Sequence, residues 1–177
     1  MPLMSVHTLL FLTIRALHVL LAAMFLGAAG LMVFFVLPAV KETGPAGGPL
    51  MGAIARRGLN AFMGAVGGTT ALTGIYLYWR LTGHFDPALS ATRAAMIFGT
   101  GGISGILSVI IGGAVVGRSL AKMGALGGKA TALAEGPERA ALMAQSTAAR
   151  DRGIAGARVV LVLQMIALVC MAIGHYV

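Results

Sequence analysis

Apolar residues fall in four long blocks along the chain, and the polar residues gather between them. The blocks cover roughly residues 9–37, 59–79, 94–116 and 154–177. As helices rising 1.5 Å per residue, all four are long enough to cross about 30 Å of hydrocarbon. The pattern predicts an all-α protein, a transmembrane four-helix bundle. The first block is longer than a span needs, so its lipid-embedded part is expected to begin near Ala16, or the helix to tilt. Pro38 is expected to close it, and Tyr76, Tyr78 and Trp79 to place an aromatic belt at the end of the second. No basic stretch precedes the first block, and it is too long for the apolar core of a signal peptide. It is therefore read as a retained span.

The segment 118–153, RSLAKMGALGGKATALAEGPERAALMAQSTAARDRG, mixes alanine, leucine and charge. Gly127-Gly128 and Gly136-Pro137 interrupt it. Pro137 suits the first position of a helix, and Glu138 suits its positive end. The expectation is a cytoplasmic helical hairpin made by extensions of spans three and four, joined at a glycine-rich bend.

Composition settles the solvent. Hydrophobic residues make up 58% of the 177 positions and charged residues only 10%. The mean hydropathy is +0.92. A soluble domain carries about a quarter charged residues, so this chain is read as a single membrane domain over 1–177, with the lipid bilayer as its main partner. Cys170 is the only cysteine, which excludes an intrachain disulfide.

The charges orient the spans. Ten of the thirteen Lys and Arg residues lie on one side: Lys41, Arg56, Arg57 and seven between Arg118 and Arg158. The positive-inside rule puts that side in the cytoplasm and both termini outside, in a bacterial inner membrane. A basic face there suits anionic headgroups, at about 1 kcal/mol per basic residue. Nothing aromatic interleaves the charges, so nucleic acid is not an expected partner.

Glycine occupies 26 positions and clusters at four-residue spacing: Gly64 and Gly68, Gly101 and Gly105, Gly113 and Gly117. Such pairs let helix backbones approach closely, with Ser104 and Ser108 able to hydrogen-bond across the contact. The approaching helix belongs to this chain, a second copy or a partner subunit. Equally, a flat ligand such as a porphyrin needs a wall poor in side chains. Glycine alone does not choose between these readings.

Under this topology His7, His18, His84 and His175 all belong to the outer half. An ionisable residue inside a span is a functional hypothesis by default, and His18 fits best. The alternative is an interfacial histidine bonded to a backbone carbonyl or headgroup, with Arg15 snorkelling to the surface. His7 and His18 are about 16 Å apart along the axis and cannot share a metal. Met171 with His175, and Met1 and Met4 with His7, form soft sets that suit Cu(I), although methionines in membrane proteins also serve as packing. No intramembrane carboxylate offers a proton relay, and no nucleotide loop, zinc-ligand cluster or hydrolase elbow is present.

The stretch IRALHVLLAAMFLG…FFVLPAV resembles the first span of the four-helix haem-containing protoporphyrinogen oxidase family and of the related copper-resistance D membrane proteins. The matching residues are Arg15, Ala16, Leu17, His18, Leu37 and Pro38. The segment ARRGLNAFMGAVGGTTALTGIYLY is similar to that family's second span, entered through Arg56 and Arg57. The chain also resembles uncharacterised four-span bacterial membrane families. The likeness covers the first half. The second departs, since the oxidases carry a lysine in the third span and an Asn-Glu pair around the fourth. This chain offers only Arg93 at the edge of the third and Gln164 in the fourth. The resemblance implies His18 as axial ligand of a b-type haem.

The function expected is therefore a membrane protein binding haem b with a redox role. His18 is the ligand, His175 the candidate second ligand, and Arg15 or Arg93 pairs with a propionate. The rivals are a non-catalytic accessory subunit and copper handling at the outer face.

Overall fold

A computed structural model describes residues 5–43 and 47–177. Among them all regular structure is helical: α1 (Val6–Glu42), α2 (Gly47–Arg56), α3 (Leu59–Leu81), the single turn α4 (Pro87–Ser90), α5 (Arg93–Thr131) and α6 (Pro137–Ile173). Helices α1, α5 and α6 are 37, 39 and 37 residues long, each long and apolar enough to cross a membrane. This is a membrane protein. Helix α3 has 23 residues, enough to span by length, but Gly67 to Thr70, Thr73 and Gly74 dilute its apolarity.

Local chemistry sets the helix starts. The Ser5 hydroxyl accepts the Thr8 N–H at 3.2 Å ahead of α1. The Asp86 carboxylate accepts the N–H groups of Ala88 and Leu89 at 2.9 and 3.0 Å, starting α4. Thr92 caps α5 through the Ala95 N–H at 3.3 Å. Each satisfies a donor that the first helical turn leaves open. Pro137 opens α6, as its sequence position suggests.

Two expectations about breaks are corrected. Pro38 does not close α1. A π-helical turn over Met32–Val36 precedes it, with the Leu37 N–H bonded back to the Met32 carbonyl, and the helix resumes to Glu42. The register shift puts Pro38 in the first turn of the resumed helix, where a missing N–H is tolerated. Gly127-Gly128 does not bend the hairpin either: α5 runs through both residues, and the turn lies at 132–136. Gly127 faces α6, while Gly128 has no neighbour where a Cβ would be. A Cβ at Gly127 would lie 3.7 Å from the Ser146 hydroxyl, which donates to the Met123 carbonyl at 3.1 Å.

Helix α1 packs on α3, α3 on α5, α5 on α6, and α6 returns to α1. Glycines set the register. A Cβ at Gly67 would fall 2.9 Å from the Phe25 ring and 3.2 Å from Val109; at Gly74, 2.9 Å from the His18 ring. At Gly99 it would meet the Tyr78 hydroxyl at 3.1 Å, at Gly101 Cys170 at 2.8 Å, and at Gly156 Val115 at 3.0 Å. These approaches make each neighbouring pair antiparallel. One end of the assembly therefore gathers all four histidines, and the other gathers ten of the thirteen basic residues.

The buried stripe in the first half of α5 is Ala95, Gly101, Ser104 and Ser108. Gly105 lies off it, and a Cβ there would meet nothing within 4 Å. Gly101→Leu is accordingly expected to destabilise the protein by about 1–3 kcal/mol through overpacking, and Gly105→Leu by less than about 0.5 kcal/mol. Thermal unfolding of both variants in detergent measures the difference.

Candidate functional site at the histidine end

His18 lies about a third of the way along α1, half-buried, with its ring laid on α3 where Gly74 has no side chain. Its Nδ1 is 3.0 Å from the Thr70 carbonyl oxygen and 3.0 Å from the Thr73 hydroxyl. A carbonyl only accepts, so Nδ1 carries the proton and donates, and Nε2 keeps a lone pair. Thr73 turns its own hydroxyl proton back to the Thr69 carbonyl at 2.8 Å, leaving its oxygen free to accept from His18. The Thr70 carbonyl serves a second donor without leaving its helix, because it has two lone pairs. The ring is thus fixed in one tautomer by α3.

Arg15, one turn earlier, reaches the other end of the chain. Its guanidinium donates to Nε2 of His175 at 3.1 Å. The His175 ring sits edge-on to Phe98, with centroids 4.9 Å apart. Gly174 allows this, since a Cβ there would come 2.8 Å from the Phe98 ring. The structure brings Arg15 and His175 together and gives His18 a separate partner. The imidazole nitrogen that would ligate a metal from His175 is engaged by Arg15.

The other candidates stand apart. Arg93 is exposed at the start of α5, and His7 is exposed near the start of α1. His84 stacks on Trp79 at 4.1 Å in a corner where Gly83, His84 and Phe85 all take positive φ. The Met171 methyl packs toward Gly101, within 3.3 Å of where its Cβ would be. Met1 and Met4, part of the copper set, lie outside the described residues. Among the described residues no three of His, Cys, Asp and Glu gather as a metal site.

Two features escaped sequence reasoning. The first is a cavity of about 260 Å³ in the half nearer the basic end, bordered by the π-helical turn of α1 and by a second π-helical turn, Gly112–Gly117, in α5. Phe25, Gly64, Val109 and Val160 are its lining residues nearest the histidine end; Gly112 and Gly113 form part of its wall. Gly64 and Gly113 are both exposed, and a Cβ at either would meet nothing within 4 Å, so neither packs against a helix. The glycine spacing was the available signal, but it does not separate a packing glycine from a wall glycine.

The second is Gln164 on α6. It is 6% exposed, and neither its Nε2 nor its Oε1 has a hydrogen-bond partner. It lies between Val160, which faces Gly112, and Cys170, which faces Gly101, and so at the level of Ser104 and Ser108. Those serines have committed their protons to the Thr100 and Gly105 carbonyls at 2.9 and 2.7 Å.

No protein-family model matches the chain, and no curated protein or solved structure matches it.

An orphaned buried amide costs about 1–3 kcal/mol. In delipidated protein, Gln164→Leu is therefore expected to raise the midpoint of thermal unfolding by several degrees. An unchanged or lower midpoint would mean that the amide has a partner.

Proposed function

We propose that this chain is a four-span all-α bundle of the bacterial inner membrane, with α3 as its second span and both termini outside. In its outer half it binds a b-type haem through His18 and takes part in electron transfer. The observation that carries the reading is the His18 imidazole, whose Nδ1–H is held by the Thr70 carbonyl while Nε2 stays bare. Histidines that ligate metals almost always have this outer partner, which fixes the ring and raises its basicity. The donor fits iron, and the neighbouring Arg15 carries a guanidinium suited to a propionate carboxylate. Bound haem would supply one-electron chemistry, and the chain's part is to hold and orient it. Because Arg15 occupies the ligating nitrogen of His175, His18 is the ligand this arrangement favours. The likeness to the haem-containing oxidases in the first half supports the same residue.

A second reading has its own support. Gly102 and Gly105 on α5 and Gly68 on α3 have no neighbour where a side chain would be, which suits a contact with another subunit's helix. A non-catalytic accessory subunit would use such faces.

A reduced-minus-oxidised absorbance spectrum separates the two. With haem supplied during expression, the native protein is expected to show a Soret and α-band pair that His18→Ala abolishes and His175→Ala retains. Thr73→Val is expected to keep the bands but lower haem affinity about tenfold, the usual cost of losing an outer-shell partner. A featureless native spectrum with a larger co-purifying assembly would overturn the haem reading in favour of the subunit.

A further inference from the structure

Where α2 meets α3, the chain makes a corner on the surface at the basic end. Gly58 turns it with φ 83°, a left-handed conformation that costs glycine little. A recess of about 470 Å³ opens outward there, lined by Ala53 and Ile54 from α2, Arg57 from the turn, and Leu59 and Phe62 from α3. Its wall is apolar except for Arg57, which is itself exposed.

The corner has a defined depth. Helix α3 packs on both α1 and α5, which are long and apolar enough to cross a membrane. Its 23 residues rise about 35 Å. That matches about 30 Å of hydrocarbon, so Leu59 falls near the hydrocarbon edge and Phe62 about 4.5 Å further in. Arg57 precedes Leu59 and so stands at the level of the headgroups. What faces this corner is therefore lipid. The recess offers an apolar surface to an acyl chain, and Arg57 offers a guanidinium to the group above that chain.

Charge selects among lipids. Among the described residues, ion pairs join Arg139 to Glu135 and Arg150 to Asp151, and no carboxylate pairs with Arg56 or Arg57. The Arg56 guanidinium lies along α2, where a Cβ at Gly52 would come 3.3 Å from Nη1. It adds a second positive charge beside the corner. Gly58 gives α3 no side-chain cap, which leaves N–H groups of the first turn open next to Arg57. A headgroup with an ammonium would meet two guanidiniums, whereas a net negative headgroup meets only complementary charge. The planar fork of Arg57 suits a phosphate, since it can bond two oxygens at once.

We propose that this corner binds one anionic phospholipid, its phosphate on Arg57 and an acyl chain along Ile54 and Phe62. The site needs no haem at His18, which lies toward the opposite end of the molecule.

The test titrates the delipidated full chain in detergent with dioleoyl phosphatidylglycerol and counts bound lipid by native mass spectrometry. Dioleoyl phosphatidylcholine, with the same chains, and glycerol 3-phosphate, with none, are titrated in parallel. The native protein is expected to bind a single phosphatidylglycerol tightly, phosphatidylcholine more weakly, and glycerol 3-phosphate not at all. Arg57→Gln should weaken phosphatidylglycerol binding about tenfold, the loss of a charge-assisted hydrogen bond. Ala53→Trp should weaken binding of both lipids, because its side chain occupies the recess. Arg139→Gln, which removes the same charge from the distant hairpin, should bind as the native protein does. Equal affinity of the native protein for the two lipids would overturn the proposal. So would unchanged phosphatidylglycerol affinity in Arg57→Gln or Ala53→Trp, or an equal loss in Arg139→Gln. Glycerol 3-phosphate binding as tightly as the lipid would overturn it too, since a free phosphate would then be the ligand.

Discussion

In hydrocarbon a polar group has only the protein itself to bond with, and the polar residues of the long helices are organised by that constraint. Thr13, Thr70, Thr100, Ser104 and Ser108 all return their hydroxyl protons to carbonyls of their own helices. His18 reaches across to the neighbouring helix for its carbonyl. A ring nitrogen that gives its proton to a carbonyl leaves the other nitrogen basic, so satisfying one atom prepares the other as a donor to a metal. Among the described residues, Gln164 is the one whose fully buried side-chain nitrogen and oxygen both lack a partner.

Glycine does two opposite jobs here. At Gly67, Gly74, Gly101 and Gly156 its missing side chain admits a neighbour, which fixes both register and direction of the helices. At Gly64 and Gly113, both exposed, no neighbour approaches and the helices stand apart. The first group holds α1, α3, α5 and α6 together where lipid gives no hydrophobic drive between helices. The second leaves a chamber between those same helices. The two jobs divide along the axis: His18 and its α3 partners lie toward the histidine end, the chamber toward the basic end.

Much of this was legible in the residues. Long apolar blocks announce helices in lipid, since length and hydropathy are local properties. Pro137 marked a helix start for the same reason. His18 stood out because a lone ionisable group is conspicuous in an apolar run. What was not legible depends on neighbours. Pro38 reads as a stop, yet a π-helical turn carries the helix past it. Gly127-Gly128 reads as a bend, yet the helix runs through both residues, with Gly127 facing α6. The Arg15–His175 contact joins residues 160 apart in sequence, and no spacing rule reaches that far. Gln164 looked like an ordinary polar residue until its surroundings showed no partner.

The central claim is that α3 holds the His18 imidazole with its proton on Nδ1 and its lone pair on Nε2. Nitrogen-15 NMR of histidine-labelled, haem-free protein in detergent, with the His18 signal assigned by comparison with His18→Gln, tests this directly. The account predicts a protonated Nδ1 and a pyridine-type Nε2. A His18 signal with the proton on Nε2, or with the two tautomers in rapid exchange, would contradict it.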